Sequence, residues 1–216
     1  MLANKFPSDV VLVVATDAMA DQRLTDREEA WVANAVEKRK REFRGGRNAA
    51  KTALKQLGFE GSPILLPVEN TKRPDWPSGY VGSICHTAGF CAAAVAHANA
   101  YAGIGIDVEP RTALRRGVVS RICTEREQKW ICRQPDDEFK PDWGKTIFCI
   151  KETIYKVFNP IHEVYLGFQE ADVAINSKEK TFVADIHQRE HGIQCRYSGR
   201  FSMDEHYIYA STILRA

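Results

Sequence analysis

Ten residues, Tyr101-Ala-Gly-Ile-Gly-Ile-Asp-Val-Glu-Pro110, constrain this chain more than any others. Ile104, Ile106 and Val108 alternate with Gly105, Asp107 and Glu109, which is the two-residue period of a strand. Asp107 and Glu109 therefore leave the same face. Two carboxylates aimed at one point repel, and a bound cation is the usual way to offset that. A second stretch, Phe148-Cys-Ile-Lys-Glu-Thr-Ile-Tyr-Lys156, has helical spacing. In it Phe148, Ile154, Tyr155 and the following Phe158 supply packing, and Glu152 lies one turn before Lys156. It can bring a third carboxylate to the same point, with an ammonium beside it for a phosphate. Either piece alone reads as a polar strand end or an ordinary helical ion pair. Both together, in this order, point to a metal-assisted site.

The 216 residues, 44% of them hydrophobic, can bury a core in one domain or two small ones. A net charge of +2 is too balanced to announce a nucleic-acid binder. Cys85, Cys91, Cys123, Cys132, Cys149 and Cys195 form no CxxC pair and no zinc spacing, and read as reduced core residues of a cytoplasmic protein. The apolar run Val10–Val14 is too short for a signal peptide, and no run approaches membrane-spanning length. The expectation is a cytoplasmic protein without a membrane role.

In chain order, residues 8–16 predict a short buried strand. Thr25-Asp-Arg-Glu28 is a capping box that opens a helix through Val36. A basic helix follows, with Phe43, Ala50, Leu54 and Leu57 on its apolar face and Gly58 at its end. Gly45-Gly46 inside it costs about 1 kcal/mol per glycine against alanine and so signals a close approach. Arg39, Lys40, Arg41 and Arg44 read as a solvated face; Arg47, between the glycines and small alanines, is the better candidate for an anion. Residues 60–80 are irregular and place Lys72, Arg73 and Trp76 on a stiff loop. Ser83, His86 and Thr87 then stand where a strand meets a turn, with small neighbours that leave room for a ligand, ahead of a buried strand over 90–98. Thr124-Glu-Arg-Glu127 is a second capping box, and Asp136-Asp137-Glu138 an acidic, solvated turn. The helix over 142–158 is expected to close at Asn159-Pro160. Strands are expected at 164–168, 172–175, 181–186, 192–197 and 206–214. The order reads as α+β, with two similar halves, 1–104 and 105–216, meeting near residue 105.

The motifs Lys38–Ala50, Arg73–His86, Gly105–Glu109 and Lys151–Lys156 resemble, in this order, those of the 4′-phosphopantetheinyl transferases, of the two-lobed kind with an enterobactin-synthase-component-D-like N-terminal region. The resemblance implies a pseudo-dimeric α+β fold with coenzyme A in the cleft between halves. It implies Asp107, Glu109 and Glu152 as Mg²⁺ ligands (Mn²⁺ as the alternative ion). Arg47, Arg73 and His86 match positions that hold phosphates of the adenosine end, with Ser83 and Thr87 in the same turn. Lys156 matches the lysine at the pyrophosphate. Cys85, before the histidine, departs from the serine or threonine common there.

The implied reaction moves the phosphopantetheine arm of coenzyme A onto a serine of an acyl or peptidyl carrier protein and releases 3′,5′-ADP. Positioning and charge neutralisation of a phosphoryl centre are what it demands. Glu152 is the candidate base, acting directly or through a metal-bound water, with Asp107 and Lys156 completing the catalytic set. Lys151 points roughly a quarter-turn from Glu152 and contacts either coenzyme A or solvent. Arg47 and Arg73 can grip a phosphate bidentately. The expected protein is a monomer that serves siderophore, other peptide, polyketide or fatty-acid synthesis and binds no nucleic acid. Rival readings are a nucleic-acid module built on Lys38–Arg47 and Lys51, a metal-dependent phosphohydrolase, and a silent coenzyme A binder.

Overall fold

The structure, a computed structural model, describes residues 6–69, 71, 73–135 and 142–216. Lys72 and the acidic turn Asp136-Asp137-Glu138 lie outside the described residues. The fold is α+β, with two antiparallel-built sheets, and divides into two units: Phe6–Ile106 with Leu214–Ala216, and Asp107–Ile213.

In the first unit, β1 (Val11–Val14) is followed by α1 (Asp17–Asp21), α2 (Asp26–Trp31) and α3 (Glu37–Gln56), then by the hairpin of β2 (Tyr80–Thr87) and β3 (Phe90–His97). The strands order β1-β3-β2, all antiparallel. Alanines make this core: Ala49, Ala50 and Ala53 of α3, with Leu54, pack with Leu65 and with Ala93 and Val95 of β3. Small side chains on both surfaces let helix and sheet approach closely. Gly46 shows how closely, because a Cβ there would lie 2.8 Å from Ile84 Cγ2 of β2. The close approach at Gly46 is therefore that of a strand, whereas Gly45 faces Ala15 and, on α1, Ala20. Gly58, at φ 84°, lies just beyond the C-terminus of α3.

The strand β4 (Tyr101–Pro110) carries the chain from the first unit into the second. There α4 (Arg116–Ile122), α5 (Glu125–Cys132) and α6 (Trp143–His162) precede a 3-10 turn at Phe168–Glu170 and the strands β5 (Ala171–Asn176), β6 (Thr181–Gln188), β7 (Ile193–Met203) and β8 (Tyr207–Arg215). The sheet order is β4-β8-β7-β6-β5. Ile147, Ile150, Ile154 and Phe158 bury one face of α6.

Three expectations are corrected. No strand forms over 164–168, which is irregular before the 3-10 turn. The helix α6 does not close at Asn159 but runs through Pro160 to His162, ending at Glu163 with φ 57°. A proline in the last turn forfeits a single backbone bond, a loss that the packing of Val157 and Phe158 outweighs. The capping-box helix α2 ends at Trp31, short of Val36. The short helices α1 and α4 were not foreseen.

Candidate active site

The second unit gathers the acids of β4 against α6. Residues Lys145, Cys149, Glu152 and Lys156 recur at i, i+4, i+7 and i+11, which places them on one stripe of α6. Lys156 Nζ lies 2.7 Å from Asp107 Oδ1, and Lys145 Nζ lies 3.4 Å from Glu109 Oε2. Cys149 donates to Ile208 O at 3.7 Å; burial, then the charges of Asp107 and Glu109, push its thiol well up. Glu152, half-buried, stands between Cys149 and Lys156 on the same stripe.

Asp107 is only 5% exposed, and its Oδ2 has no hydrogen-bond partner. Burial, and then the neighbouring charge of Asp107, raise the pKa of Glu109 against the pull of Lys145 and Lys156. A buried carboxylate oxygen without a donor, beside a second carboxyl that burial and a like charge disfavour as an anion, is a set that a hard, oxygen-seeking cation fits. Two ammonium groups meet that need in the structure. Among the described residues no three His, Cys, Asp or Glu side chains converge as a metal cluster. Asp107 and Glu109 are thus brought together, while Glu152 shares the α6 stripe of Lys145 and Lys156, and among the described residues no three-ligand cage closes.

The first unit gathers cations. Arg47 is 5% exposed, donates from Nε to Leu65 O at 2.6 Å and lies over the Phe43 ring at 4.5 Å. Burial pulls its pKa down to about 10, which leaves it charged at neutral pH, and the charge of Arg39 contributes in the same direction. Arg39 Nη1 donates to His86 Nε2 at 2.6 Å and pairs with Glu42 Oε2 at 3.5 Å, while His86 Nε2 lies 3.6 Å from the same carboxylate. Since a guanidinium can only donate, His86 accepts at Nε2 in this arrangement and carries its proton at Nδ1. The half-buried Arg73 stands on the loop that also presents Leu65: its carbonyl accepts from Val68 N at 2.9 Å, and Leu66 O accepts from Asp75 N at 2.8 Å. Thr87 closes β2, facing Phe90 across a two-residue turn whose Gly89 has φ 77°.

Two of the expected binding residues are buried and bonded within the protein. Ser83 is 3% exposed, and its Oγ accepts from Ile106 N at 3.1 Å. Lys151 is 2% exposed and donates to Ile122 O at 2.8 Å and Phe168 O at 2.7 Å, with Glu127 Oε2 at 2.8 Å. Its three ammonium protons are thereby accounted for, and solvent scarcely reaches it. The signal was present in the sequence, since Lys151 lies four residues after Ile147 and three before Ile154, on the apolar face. Lys145, Arg39 and Glu42 were missed as site neighbours. Lys145 was legible as an eleven-residue step back from Lys156; the pairing of Arg39 with a strand residue was not.

Fold and site together define an α+β transferase built of two units. The 4′-phosphopantetheinyl transferase N-terminal domain matches residues 27–96, and the 4′-phosphopantetheinyl transferase superfamily matches residues 103–210. The chain belongs to the 4′-phosphopantetheinyl transferases. It is 39% identical over 193 residues to the 4′-phosphopantetheinyl transferase Svp of Streptomyces mobaraensis, covering 86% of this chain and 76% of that protein. It is 34% identical over 179 residues to the 4′-phosphopantetheinyl transferase Npt of Nocardia iowensis, covering 83% and 78%. The likeness to enterobactin synthase component D of Salmonella typhi is weaker, 28% over 127 residues, covering 58% and 51%. No helix among the described residues is long and apolar enough to cross a membrane.

Proposed function

We propose that this transferase moves the phosphopantetheine arm of coenzyme A onto a serine of an acyl or peptidyl carrier protein, releases 3′,5′-ADP, and requires Mg²⁺. The observation that carries the reading is the pair Asp107 and Glu109 held against the Lys145–Lys156 stripe of α6, with one buried carboxylate oxygen left over, in a chain of this family.

Asp107, Glu109 and Glu152 would hold the cation, which when bound offsets the negative charge of the pyrophosphate. Lys156, one turn beyond Glu152, then supplies its ammonium to phosphate oxygens, and Lys145 does the same from the other end of the stripe. Glu152 takes the proton of the carrier's serine as the seryl oxygen bonds to the β-phosphorus and the bond from that phosphorus to the bridging oxygen breaks. The electron pair leaves with the α-phosphate of 3′,5′-ADP.

Arg47, Arg73 and His86 of the N-terminal half, 1–104, hold the 3′-phosphate of the adenosine end, and Arg39 belongs with them because it already touches His86. Thr87, at the end of the same strand, contributes a hydroxyl. The half 105–216 carries the chemistry. We assign the protein to the cytoplasm as a monomer, with carriers of siderophore, other peptide, polyketide or fatty-acid synthesis as its partners.

The test is to incubate the protein with coenzyme A, Mg²⁺ and a panel of apo carriers and to weigh each carrier by mass spectrometry. A mass gain of one phosphopantetheine arm is expected, along with its loss in Glu152→Gln at unchanged thermal stability. Transfer by Glu152→Gln at the parental rate would remove that residue from the mechanism. Arg47→Ala is expected to raise KM for coenzyme A and to spare dephospho-coenzyme A.

A further inference from the structure

One constellation recurs in both units. In the first, Glu28 Oε2 accepts from Thr25 N at 3.2 Å and Thr25 Oγ1 at 2.7 Å, closing the capping box of α2, and also meets Lys51 Nζ of α3 at 2.7 Å. Its other oxygen, Oε1, accepts from Leu65 N at 3.0 Å. In the second, Glu127 Oε2 accepts from Thr124 N at 2.7 Å, closing the capping box of α5, and meets Lys151 Nζ of α6 at 2.8 Å. Its Oε1 accepts from Val173 N at 2.7 Å. Thr25-Asp-Arg-Glu28 and Thr124-Glu-Arg-Glu127 thus do the same work. Each buried glutamate puts one oxygen on its own cap and on a lysine of its unit's 20-residue helix. Each puts the other on a backbone amide further along the chain. Glu28 and Glu127 are 0% and 1% exposed.

A buried ion pair adds little stability over a well-packed apolar pair, because desolvation offsets its attraction. What it does supply is direction: charge-assisted bonds fix a helix in rotation and height. In the first unit the bonds continue to a group assigned above. Leu65, held through its N–H by Glu28, accepts Arg47 Nε through its carbonyl at 2.6 Å, so one chain of contacts runs Lys51–Glu28–Leu65–Arg47. In the second, Lys151 immediately precedes Glu152, and its bonds to Glu127, Ile122 O and Phe168 O must break before α6 can turn.

We propose that these two buried pairs are positioning residues of the transferase: Glu28–Lys51 for Arg47, and Glu127–Lys151 for Glu152 and Lys156. The inference rests on the roles given under Proposed function. Its test uses the double variants E28Q/K51M and E127Q/K151M, which remove both members of each pair together, assayed with coenzyme A, dephospho-coenzyme A and an apo carrier. E28Q/K51M is expected to raise KM for coenzyme A roughly tenfold, with kcat nearly unchanged and a much smaller effect on dephospho-coenzyme A. E127Q/K151M is expected to lower kcat roughly ten- to a hundredfold, with a smaller rise in KM that is the same for coenzyme A and dephospho-coenzyme A, as a small misplacement of groups at the shared pyrophosphate does. Folded double variants whose melting temperature changes while kcat and KM stay parental overturn the proposal. If a double variant does not fold, Glu28→Asp and Glu127→Asp retain the charge and withdraw the carboxylate by one methylene. The same directions at smaller size are then expected, and parental kinetics overturn it. Arg47→Ala and Glu152→Gln run alongside. Parental kinetics in those two sink the roles themselves, whereas losses in them without losses in the pair variants sink the positioning inference alone.

Discussion

Arg44 grips Glu29 with two parallel bonds, Nε to Oε1 and Nη2 to Oε2, each at 2.9 Å. The Arg44 guanidinium holds the Glu29 carboxyl down at about 2, against an ordinary 4.5. A depressed folded-state value means that the pair's contribution is complete above about pH 4.5 and disappears as pH falls toward 2. Screening by solvent limits it to about 1–2 kcal/mol. Glu29→Gln is therefore expected to be less stable than the parent by that amount at neutral pH, with the gap closing between pH 4.5 and 2; urea unfolding across this range measures it. A gap that persists at the acid end would assign the loss to packing. The same pairing shows what sequence spacing conceals. The basic run on α3 reads as a solvated face, yet Arg44 is tied to Glu29 and Glu37, Arg41 to Asp17 and Asp21, and Lys51 to Glu28. Helical periodicity reports neighbours on one helix and is blind to carboxylates delivered by α1 and α2. Arg47, set apart from that run by its glycine and alanine neighbours, is held instead by Leu65 O and the Phe43 ring.

At the scale of elements, both capping boxes were legible because their bonds close within four residues, and the strands β5 to β8 because alternation is local. The irregular stretch 164–168 failed for the converse reason: an apolar run says nothing about whether a partner strand is available for its backbone. The paired glycines of α3 make the most discriminating element-level prediction. At Gly45 a Cβ would meet Ala15 Cβ at 3.5 Å, an ordinary contact, so Gly45→Ala should gain helix propensity and stabilise by about 0.5–1 kcal/mol. At Gly46 the Cβ would meet Ile84 Cγ2 at 2.8 Å and Cys91 Sγ at 3.4 Å. Cγ2 sits on a β-branched carbon and cannot swing clear, so helix or strand must shift. Gly46→Ala should lose about 1–3 kcal/mol, with partial recovery in Gly46→Ala/Ile84→Ala. Thermal denaturation of the four proteins, parent included, checks the pattern. Equal effects at both glycines would mean that the helix does not rest on β2 at this point.

For the molecule as a whole, the sequence yielded an α+β chain of two halves but no residue-level repeat. Both Thr-x-Arg-Glu boxes are visible in the sequence, and it is the contacts of their glutamates with Lys51 and Lys151 that show them doing the same work. The two units also divide the proposed work, which gives a prediction in binding energies. In the second unit Lys156 and Lys145 neutralise Asp107 and Glu109. A divalent ion must displace those ammonium groups, and a pyrophosphate receives them. Mg²⁺ and coenzyme A should therefore bind with positive coupling, each tightening the other by the same factor, of roughly 5- to 150-fold. Chelation should weaken coenzyme A and dephospho-coenzyme A by that one factor, since both carry the pyrophosphate. Arg47→Ala acts on a different phosphate, so its penalty on coenzyme A should be the same with and without Mg²⁺, and the two losses should add. Isothermal titration of parent and variant, with both ligands, in Mg²⁺ and in chelator, supplies every corner of the cycle. A metal effect confined to coenzyme A, or an Arg47 penalty that vanishes on chelation, would mean that cation and guanidinium act on one phosphate, and the division of labour between the two units would be wrong.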